Sequence, residues 1–223
     1  MPGPRQASAP TDRRPSVSEH FARRAVEESV AARRVEYEGE VARVVEATFE
    51  LVRRTGTVDP SMRDILAEAS LSTQAFYRYF RSKDELMLAV LDEGRRRLVD
   101  TLHRRMAKAG DATGQLRAWI EGVLAQAAEP AAARTRPWVA NQDRLAERFP
   151  EEHGASVDAL VTLLDEPVGE LRGGGGGARA QQAALLVYRV SFATLQAHLA
   201  GGTKPSTTEV RQLVAFCVRG VTA

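Results

Sequence analysis

Thr73 and Gln74 are the side chains whose types and position say most about chemistry, because they open a predicted short helix. A glutamine amide can pair with the edge of an adenine base through two hydrogen bonds, and threonine can contact the methyl group of thymine. Arg78 is expected on the exposed side of the same helix, and the hydroxyl of Tyr77 suits a phosphate oxygen. These residue types favour a nucleic-acid duplex as the partner of this helix.

Two short helices joined by three residues would position these side chains. Ser61 can cap the first helix, with Asp64 in a capping-box position, and this helix is predicted to end near Ala69. Residues 70–72 form the connection, and Ser72 caps a helix that runs to about residue 80. This layout is a helix-turn-helix. The major groove of duplex DNA admits one α-helix, which a second helix must brace against the backbone.

Longer helices are predicted on either side of this pair. Apolar residues recur at helical spacing along 36–54, which Gly56 ends, and Ser82 with Glu85 forms a second capping box that opens a fourth helix to about residue 109. Lys83 lies at the N-terminus of that helix, where the helix dipole disfavours a cation. A DNA phosphate therefore explains this lysine better than helix stability does.

The segment from Ser61 to Leu86 closely resembles the N-terminal DNA-binding domain of the TetR (tetracycline-repressor-like) family of regulators. The most specific part is the run Phe-Tyr-x-Tyr-Phe at 76–80, followed by Ser-Lys-x-Glu-Leu at 82–86. With the preceding helix, the resemblance covers about residues 40–92. It implies that DNA is contacted by Ser61, Arg63, Ser72, Thr73, Gln74, Tyr77, Arg78, Tyr79 and Lys83.

Two positions depart from the family pattern. The family usually has a small residue where this chain has Leu66, which is expected to open the packing between the second and third helices, and glycine where it has Ser70. Ser70 must take the turn conformation as a non-glycine residue, at a modest cost. Phe76 and Phe80, four apart on one helix face, are expected in the core, whereas Tyr79 suits the core and the DNA interface equally well.

The whole chain is predicted to be all-α, with an N-terminal three-helix helix-turn-helix domain followed by a helical ligand-binding and dimerisation domain. No segment shows the alternation of a β-strand. Pro130, Pro137 and Pro167 are expected to break or disturb helices, and the five glycines at 173–177 predict a flexible loop. The predicted domains are an Arg-rich arm with a further helix at 1–34, the DNA-binding domain at 35–82 and the effector-binding and dimerisation domain at 83–223.

Two interpretations of the Arg-rich N-terminal arm remain open. Residues 1 to about 17 are rich in Pro, Ser and Arg and are expected to be disordered. Arg5, Arg13 and Arg14 either follow a DNA minor groove or form a plain tail.

The resemblance also implies a small-molecule effector and a homodimer. Because no Lys/Arg cluster is evident along residues 111–200, a small apolar or aromatic effector is favoured over a phosphorylated one. The candidate effector-binding residues, which suit a plain core equally well, are Trp119, Trp138, Phe149, Tyr188 and Phe192. The last two long helices are expected to pair with their symmetry mates in a four-helix bundle. The candidate dimer-interface residues are Leu185, Leu195, Leu199, Val210, Leu213, Val214, Cys217 and Val218.

The amino-acid composition limits the classes of function that the chain can have. The 223 residues carry 31 basic and 29 acidic side chains, so total charge does not indicate nucleic acid. One cysteine excludes an intrachain disulfide, and no apolar run is long enough to span a bilayer. We expect a cytoplasmic protein without a metal or other cofactor, and not an enzyme, because no acid, base or metal-binding set converges. The alternatives are a constitutive or partner-controlled architectural DNA-binding protein and an all-α enzyme.

Overall fold

The computed structural model describes residues 17–57, 59–174 and 177–223. The predicted arm, with Arg5, Arg13 and Arg14, lies outside these residues. Throughout the described ranges the regular structure is helical and no strand occurs, which confirms the all-α prediction. The helices are α1 (Val17–Thr55), α2 (Met62–Glu68), α3 (Thr73–Tyr79), α4 (Lys83–Met106), α5 (Ala112–Leu124), α6 (Ala131–Arg148), α7 (Pro150–Thr162), α8 (Asp165–Leu171), α9 (Ala178–Gly201) and α10 (Thr207–Thr222), with a 3₁₀ turn at Ala125–Ala127.

The described residues fall into two compact units, 17–42 and 43–223. The first unit is the N-terminal part of α1, whose side chains are mostly exposed. Its ion pairs are local, such as Arg34 with Glu38 at 2.7 Å. Where the sequence analysis expected two helices with a boundary near 35, α1 is a single helix. Ala, Arg and Glu favour helix in this stretch, and Gly39 alone costs about 1 kcal/mol, which is too little to break it.

The helix-turn-helix lies in the second unit and follows the predicted caps. The hydroxyl oxygens of Ser61, Ser72 and Ser82 accept hydrogen bonds from the backbone N–H three residues on, at 3.1–3.2 Å. Each cap satisfies a donor that the first helical turn leaves open. In the turn between α2 and α3, Ser70 has φ +52°, the left-handed conformation that the resemblance requires there.

Aromatic side chains hold α3 in place. Phe76 is fully buried and Phe80 nearly so, and their ring centroids are 5.5 Å apart, which confirms their predicted core role. Ile65 of α2 is also fully buried, whereas Leu66 is half-buried. The buried face of α3 is therefore apolar, and the opposite face is left to solvent.

The larger helical core is built around α5. Leu116, Trp119 and Ile120 are fully buried, and α4, α8, α9 and α10 all pack against this helix. Gly122 lets α4 approach closely, because a Cβ atom there would clash with Leu102 Cδ2. The long helix that follows the helix-turn-helix is thus packed tightly into the core of the C-terminal region.

Two prolines behave differently from the prediction. α6 continues through Pro137 instead of stopping there, so the expected break is wrong. Pro137 and the adjacent Trp138 are buried, and tertiary packing compensates for the hydrogen bond that proline removes. Pro167 lies in the first turn of α8, where its missing N–H costs nothing. Every described helix is too short or too polar to cross a bilayer.

Candidate DNA-binding helix and ligand cleft

The face of α3 opposite Phe76 is exposed and polar. Thr73, Gln74, Tyr77 and Arg78 are all exposed, with Tyr77 at 58%. The Tyr77 ring packs edge-on against Phe76, with centroids 5.3 Å apart, so its position is fixed although its surface is open. An ordered aromatic side chain this exposed is available to a partner.

The remaining candidates of α2 and α3 differ in their exposure and contacts. Arg63 is exposed on the first turn of α2, and Tyr79 is half-buried with the Arg78 guanidinium 5.7 Å from its ring centroid. Ser61 and Ser72 are exposed as well, but their hydroxyl oxygens are already engaged as helix caps. The candidate residues of α2 and α3 other than Tyr79 are thus exposed, with capping as the observed role of both serines.

Lys83 has a protein partner that the sequence analysis did not anticipate. Its Nζ atom donates a hydrogen bond of 2.6 Å to Asp59 Oδ1, in the loop before α2. This hydrogen bond is the main reason that the pKa of Asp59 lies below its usual value. An ion pair therefore explains a cation at the start of α4 without invoking a phosphate.

A second candidate site is a cleft with a volume of about 610 Å³. Its walls come from the C-terminal end of α1 and from α4, α6 and α9. Trp138 and Phe192 line it, and the Trp138 ring stacks on Phe49 with centroids 5.8 Å apart and an interplanar angle of 10°. A volume of this size suits a drug-sized molecule.

Three predicted effector-binding residues do not line this cleft. Trp119 is fully buried in the core, where its Nε1 donates to the carbonyl of Leu160 at 3.2 Å. Phe149 is half-buried at the junction of α6 and α7, and the Tyr188 ring packs on Phe192 at 4.4 Å. Large aromatic residues serve core and cleft alike, so residue type alone does not separate the two roles.

The cleft also carries a basic cluster that the sequence analysis missed. Arg53, Arg95, Arg97 and Arg134 all line it, together with a single acidic residue, Glu50. These arginines lie on α1, α4 and α6, far apart in the sequence. Only Arg134 lies within residues 111–200, the range in which the sequence showed no basic cluster; the other three arginines come from α1 and α4. Only the packing of α1, α4 and α6 brings these charges together.

A pair of salt bridges joins the cleft region to the start of α4. The Asp84 carboxylate accepts hydrogen bonds from the guanidinium groups of Arg144 and Arg148 on α6. Asp84 directly follows Lys83, and the same α6 helix carries Trp138 and lines the cleft. One helix thus contacts both the cleft and the segment next to the helix-turn-helix.

The predicted dimer residues divide into two groups. Leu195, Leu199, Val214 and Cys217 are buried within this single chain, at 1–5% exposure. Their side chains pack into the chain's own core and offer little surface to a partner, and their assignment to a subunit interface stays a prediction. The half-buried members of the set are Leu185, Val210, Leu213 and Val218.

Two large apolar side chains of the last two long helices were not predicted. Leu186 on α9 is 52% exposed and Phe216 on α10 is 60% exposed. Each helix has apolar residues on more than one side, so periodicity did not show which side faces solvent.

Comparison with known proteins finds relatives of the region that contains the helix-turn-helix. Residues 44–90 match the family model described as bacterial regulatory proteins, tetR family. The HTH-type transcriptional regulator BetI of Stenotrophomonas maltophilia (strain R551-3) is 34% identical over 80 residues. That match covers 35% of this chain and 41% of BetI, so the chain spans less than half the length of this curated relative.

Solved structures share the fold over most of the chain. A TetR transcriptional regulator from Rhodococcus sp. RHA1 matches with a TM-score of 0.63 and 16% identity, covering 83% of this chain and 95% of that one. RolR, solved in complex with the ligand resorcinol, matches with a TM-score of 0.60 and 16% identity, covering 82% and 88%. The match to the tetR family of bacterial regulatory proteins thus covers residues 44–90, the region that contains the helix-turn-helix.

Proposed function

We propose that this protein is a transcriptional regulator that binds a specific duplex DNA sequence through the exposed face of α3. The observation that carries the proposal is the polar face of Thr73, Gln74, Tyr77 and Arg78 on a helix anchored by buried Phe76. This helix lies inside the region that matches the family. A short helix with a polar outer face and an apolar inner face has the form that enters a major groove.

The side chains divide by chemistry into two roles. Gln74 and Thr73, on the first turn of α3, are placed to reach base edges, and Arg78 lies one turn further on. Tyr77 offers its hydroxyl to a phosphate, where it would contribute to affinity for all sequences. Lys83 can approach a phosphate only if its hydrogen bond to Asp59 is broken or shared. We therefore assign Tyr77, rather than Lys83, as the principal backbone contact.

Filter binding with fragments of genomic DNA tests this function. The protein should retain a small subset of fragments, and Gln74→Ala should reduce its discrimination at one base pair of the bound site by about 1–3 kcal/mol. Tyr77→Phe should instead weaken binding to every fragment. Gln181→Ala, an exposed glutamine on α9, is the matched control and should behave as the unchanged protein. Equal loss by Gln74→Ala on all fragments would remove Gln74 from base reading.

We further propose that the functional unit is a homodimer. The exposed Leu186 and Phe216 support an interface on α9 and α10, because large apolar side chains in water favour burial against a partner. A two-fold dimer would place its recognition helices about 34–36 Å apart, to match successive major grooves of a palindromic operator. Leu186→Glu with Phe216→Glu should give a folded monomer in sedimentation. An undisturbed dimer would place the interface elsewhere.

A small molecule bound in the cleft is proposed to release the DNA. The 610 Å³ volume supports a ligand, and Arg144 and Arg148 connect the cleft helix α6 to Asp84 beside the helix-turn-helix. A ligand that binds more tightly to a different relative arrangement of α4 and α6 would shift the population away from the DNA-binding form. A 100-fold loss of DNA affinity requires about 2.7 kcal/mol of such preference. With the operator occupied in the absence of ligand, the expected mode is repression.

A further inference from the structure

Arg95 is a buried cation that forms no ion pair with a carboxylate of the described residues, although the more distant Asp92 charge favours its charged form. Its side chain is only 7% exposed, and no ion pair of Arg95 occurs among the described residues. Its Nη1 and Nη2 atoms lie 3.3 Å and 3.5 Å from the two ring nitrogens of His153. A neutral imidazole has one acceptor nitrogen, so only one of these contacts can be a hydrogen bond. Most of the guanidinium donors are therefore left for another partner.

Two of the other three arginines in the cleft lining already have carboxylate partners. Arg53 pairs with Glu50 at 2.6 Å, and Arg97 pairs with Glu93 at 2.7 Å. Glu50 is the one acidic residue in the cleft lining, so the cleft offers no free carboxylate to Arg95. Arg134, also in the lining, is exposed and has no ion pair within the described ranges. Arg95 and Arg134 thus give the cleft an unbalanced positive charge.

His153 does not supply the missing negative charge. Burial and then the nearby Arg95 charge both lower the pKa of His153, which favours its neutral form. Burial likewise lowers the pKa of Arg95. A buried charge costs folding free energy unless a counter-ion and hydrogen bonds compensate it. The site is therefore incomplete as a purely structural arrangement.

Apolar and aromatic side chains form part of the remaining lining, beside the polar Thr101, Gln126, Thr135 and Gln142. Trp138, Phe49 and Phe192 provide flat surfaces, and the aliphatic lining consists of Leu91, Leu98, Val139 and Leu195. Such walls bury an aromatic or hydrocarbon body, whereas a guanidinium binds a carboxylate through two parallel hydrogen bonds.

We propose that the cleft binds an organic anion in which one carboxylate, held by Arg95, is attached to an aromatic or other apolar body. The ligand carboxylate supplies the counter-ion that the chain lacks, and the stacked pair of Trp138 and Phe49 contacts the body. This ligand class rests on the proposed effector-binding function and replaces the weakly charged effector that the sequence favoured. Because Arg95 lies on α4, the ligand would act directly on the helix that follows the helix-turn-helix.

Titration with matched pairs of acids and amides tests this inference. The probes are benzoate, 4-phenylbutyrate and 1-naphthoate, each compared with its uncharged primary amide, and binding is followed by calorimetry and by tryptophan fluorescence. At least one acid should bind 10-fold or more tightly than its amide. Arg95→Gln should abolish this preference and change amide binding less than 2-fold. Arg96→Gln is the control, because Arg96 is exposed and pairs with Glu93 outside the cleft lining.

The outcomes separate this inference from the proposed function. Absence of binding by every acid, amides that bind as tightly as acids, or a preference that survives in Arg95→Gln would each overturn the carboxylate site. Near-native circular dichroism of Arg95→Gln and retained amide binding would show that its loss of preference is not due to unfolding. DNA filter binding, measured separately without probe, reports on the regulator function alone. If the protein fails to bind DNA, the acid–amide comparison can still be interpreted. If no acid binds preferentially, the DNA-binding result can likewise still be interpreted.

Discussion

Replacing Arg95 with methionine should stabilise the folded protein in the absence of any ligand. Most substitutions of buried residues destabilise, so the sign of this effect is diagnostic. Arg95 is 7% exposed, and among the described residues its side chain makes hydrogen-bond contacts with the ring of His153 alone. Methionine keeps most of the apolar stem, which packs in the core, and removes the uncompensated charge.

The expected gain in the free energy of unfolding follows from the burial of Arg95 and from its position beside the cleft. Replacement of buried ionic groups by apolar residues of similar volume yields up to about 4 kcal/mol. Since the cleft admits water, the lower half of that range applies, and we expect about 1–2 kcal/mol. For a chain of this length, each kcal/mol shifts the melting temperature by about 2–4 °C, so the expected rise is about 2–8 °C.

Thermal denaturation followed by circular dichroism, at one fixed protein concentration, measures this shift. Arg96→Met is the matched control, because it removes an exposed arginine paired with Glu93 and should leave the melting temperature unchanged or slightly lower. A fall in the melting temperature of Arg95→Met would refute the reasoning, since it would mean that the chain itself compensates the Arg95 charge.

Three further predictions concern local features. Ser70→Gly should raise the free energy of unfolding by about 0.5–1 kcal/mol in urea, because it relieves the left-handed backbone at φ +52°, whereas Gly56→Ala at φ +67° should lower it. Hydrogen bonding to Arg96 is the main cause of the lowered pKa of Glu93. The ionised Glu93 carboxylate therefore stabilises the folded protein above about pH 4.3, and this stabilisation is lost as the pH falls through the folded-state pKa. Glu93→Gln should therefore cost about 0.5–1 kcal/mol at pH 7 and progressively less as the pH falls below about 4.3 in chemical denaturation, and a cost independent of pH would contradict this. Burial raises the pKa of the Cys217 thiol to about 11, so iodoacetamide should not label the folded protein at pH 8, and rapid labelling would show that this residue is accessible.

The DNA-binding helices could be predicted because their signals are local. Ser61, Ser72 and Ser82 each cap a helix through a backbone N–H three residues away, and Phe76 and Phe80 share one helix face. Such short-range relations are visible in the sequence. The Lys83–Asp59 ion pair joins residues 24 positions apart, so no local pattern indicated it.

The cleft could not be predicted for the same physical reason. Its four arginines lie on three helices, and whether they face one another depends on how those helices pack. Arg95, Arg96 and Arg97 are consecutive in the sequence, yet Arg95 is buried while Arg96 is exposed. Rotation by 100° per residue separates neighbours in sequence, and only the fold shows which one turns inward.

The most direct test of the central claim is selection of binding sites from a library of random duplex DNA. The unchanged protein should enrich one motif of two-fold symmetry, with half-site centres about one helical turn, 10–10.5 base pairs, apart. Selection with Gln74→Ala should lose the preference at one position in each half-site and keep the spacing. Failure to enrich any motif, or selection of the same motif with undiminished preference by Gln74→Ala, would contradict recognition of DNA bases by the exposed face of α3.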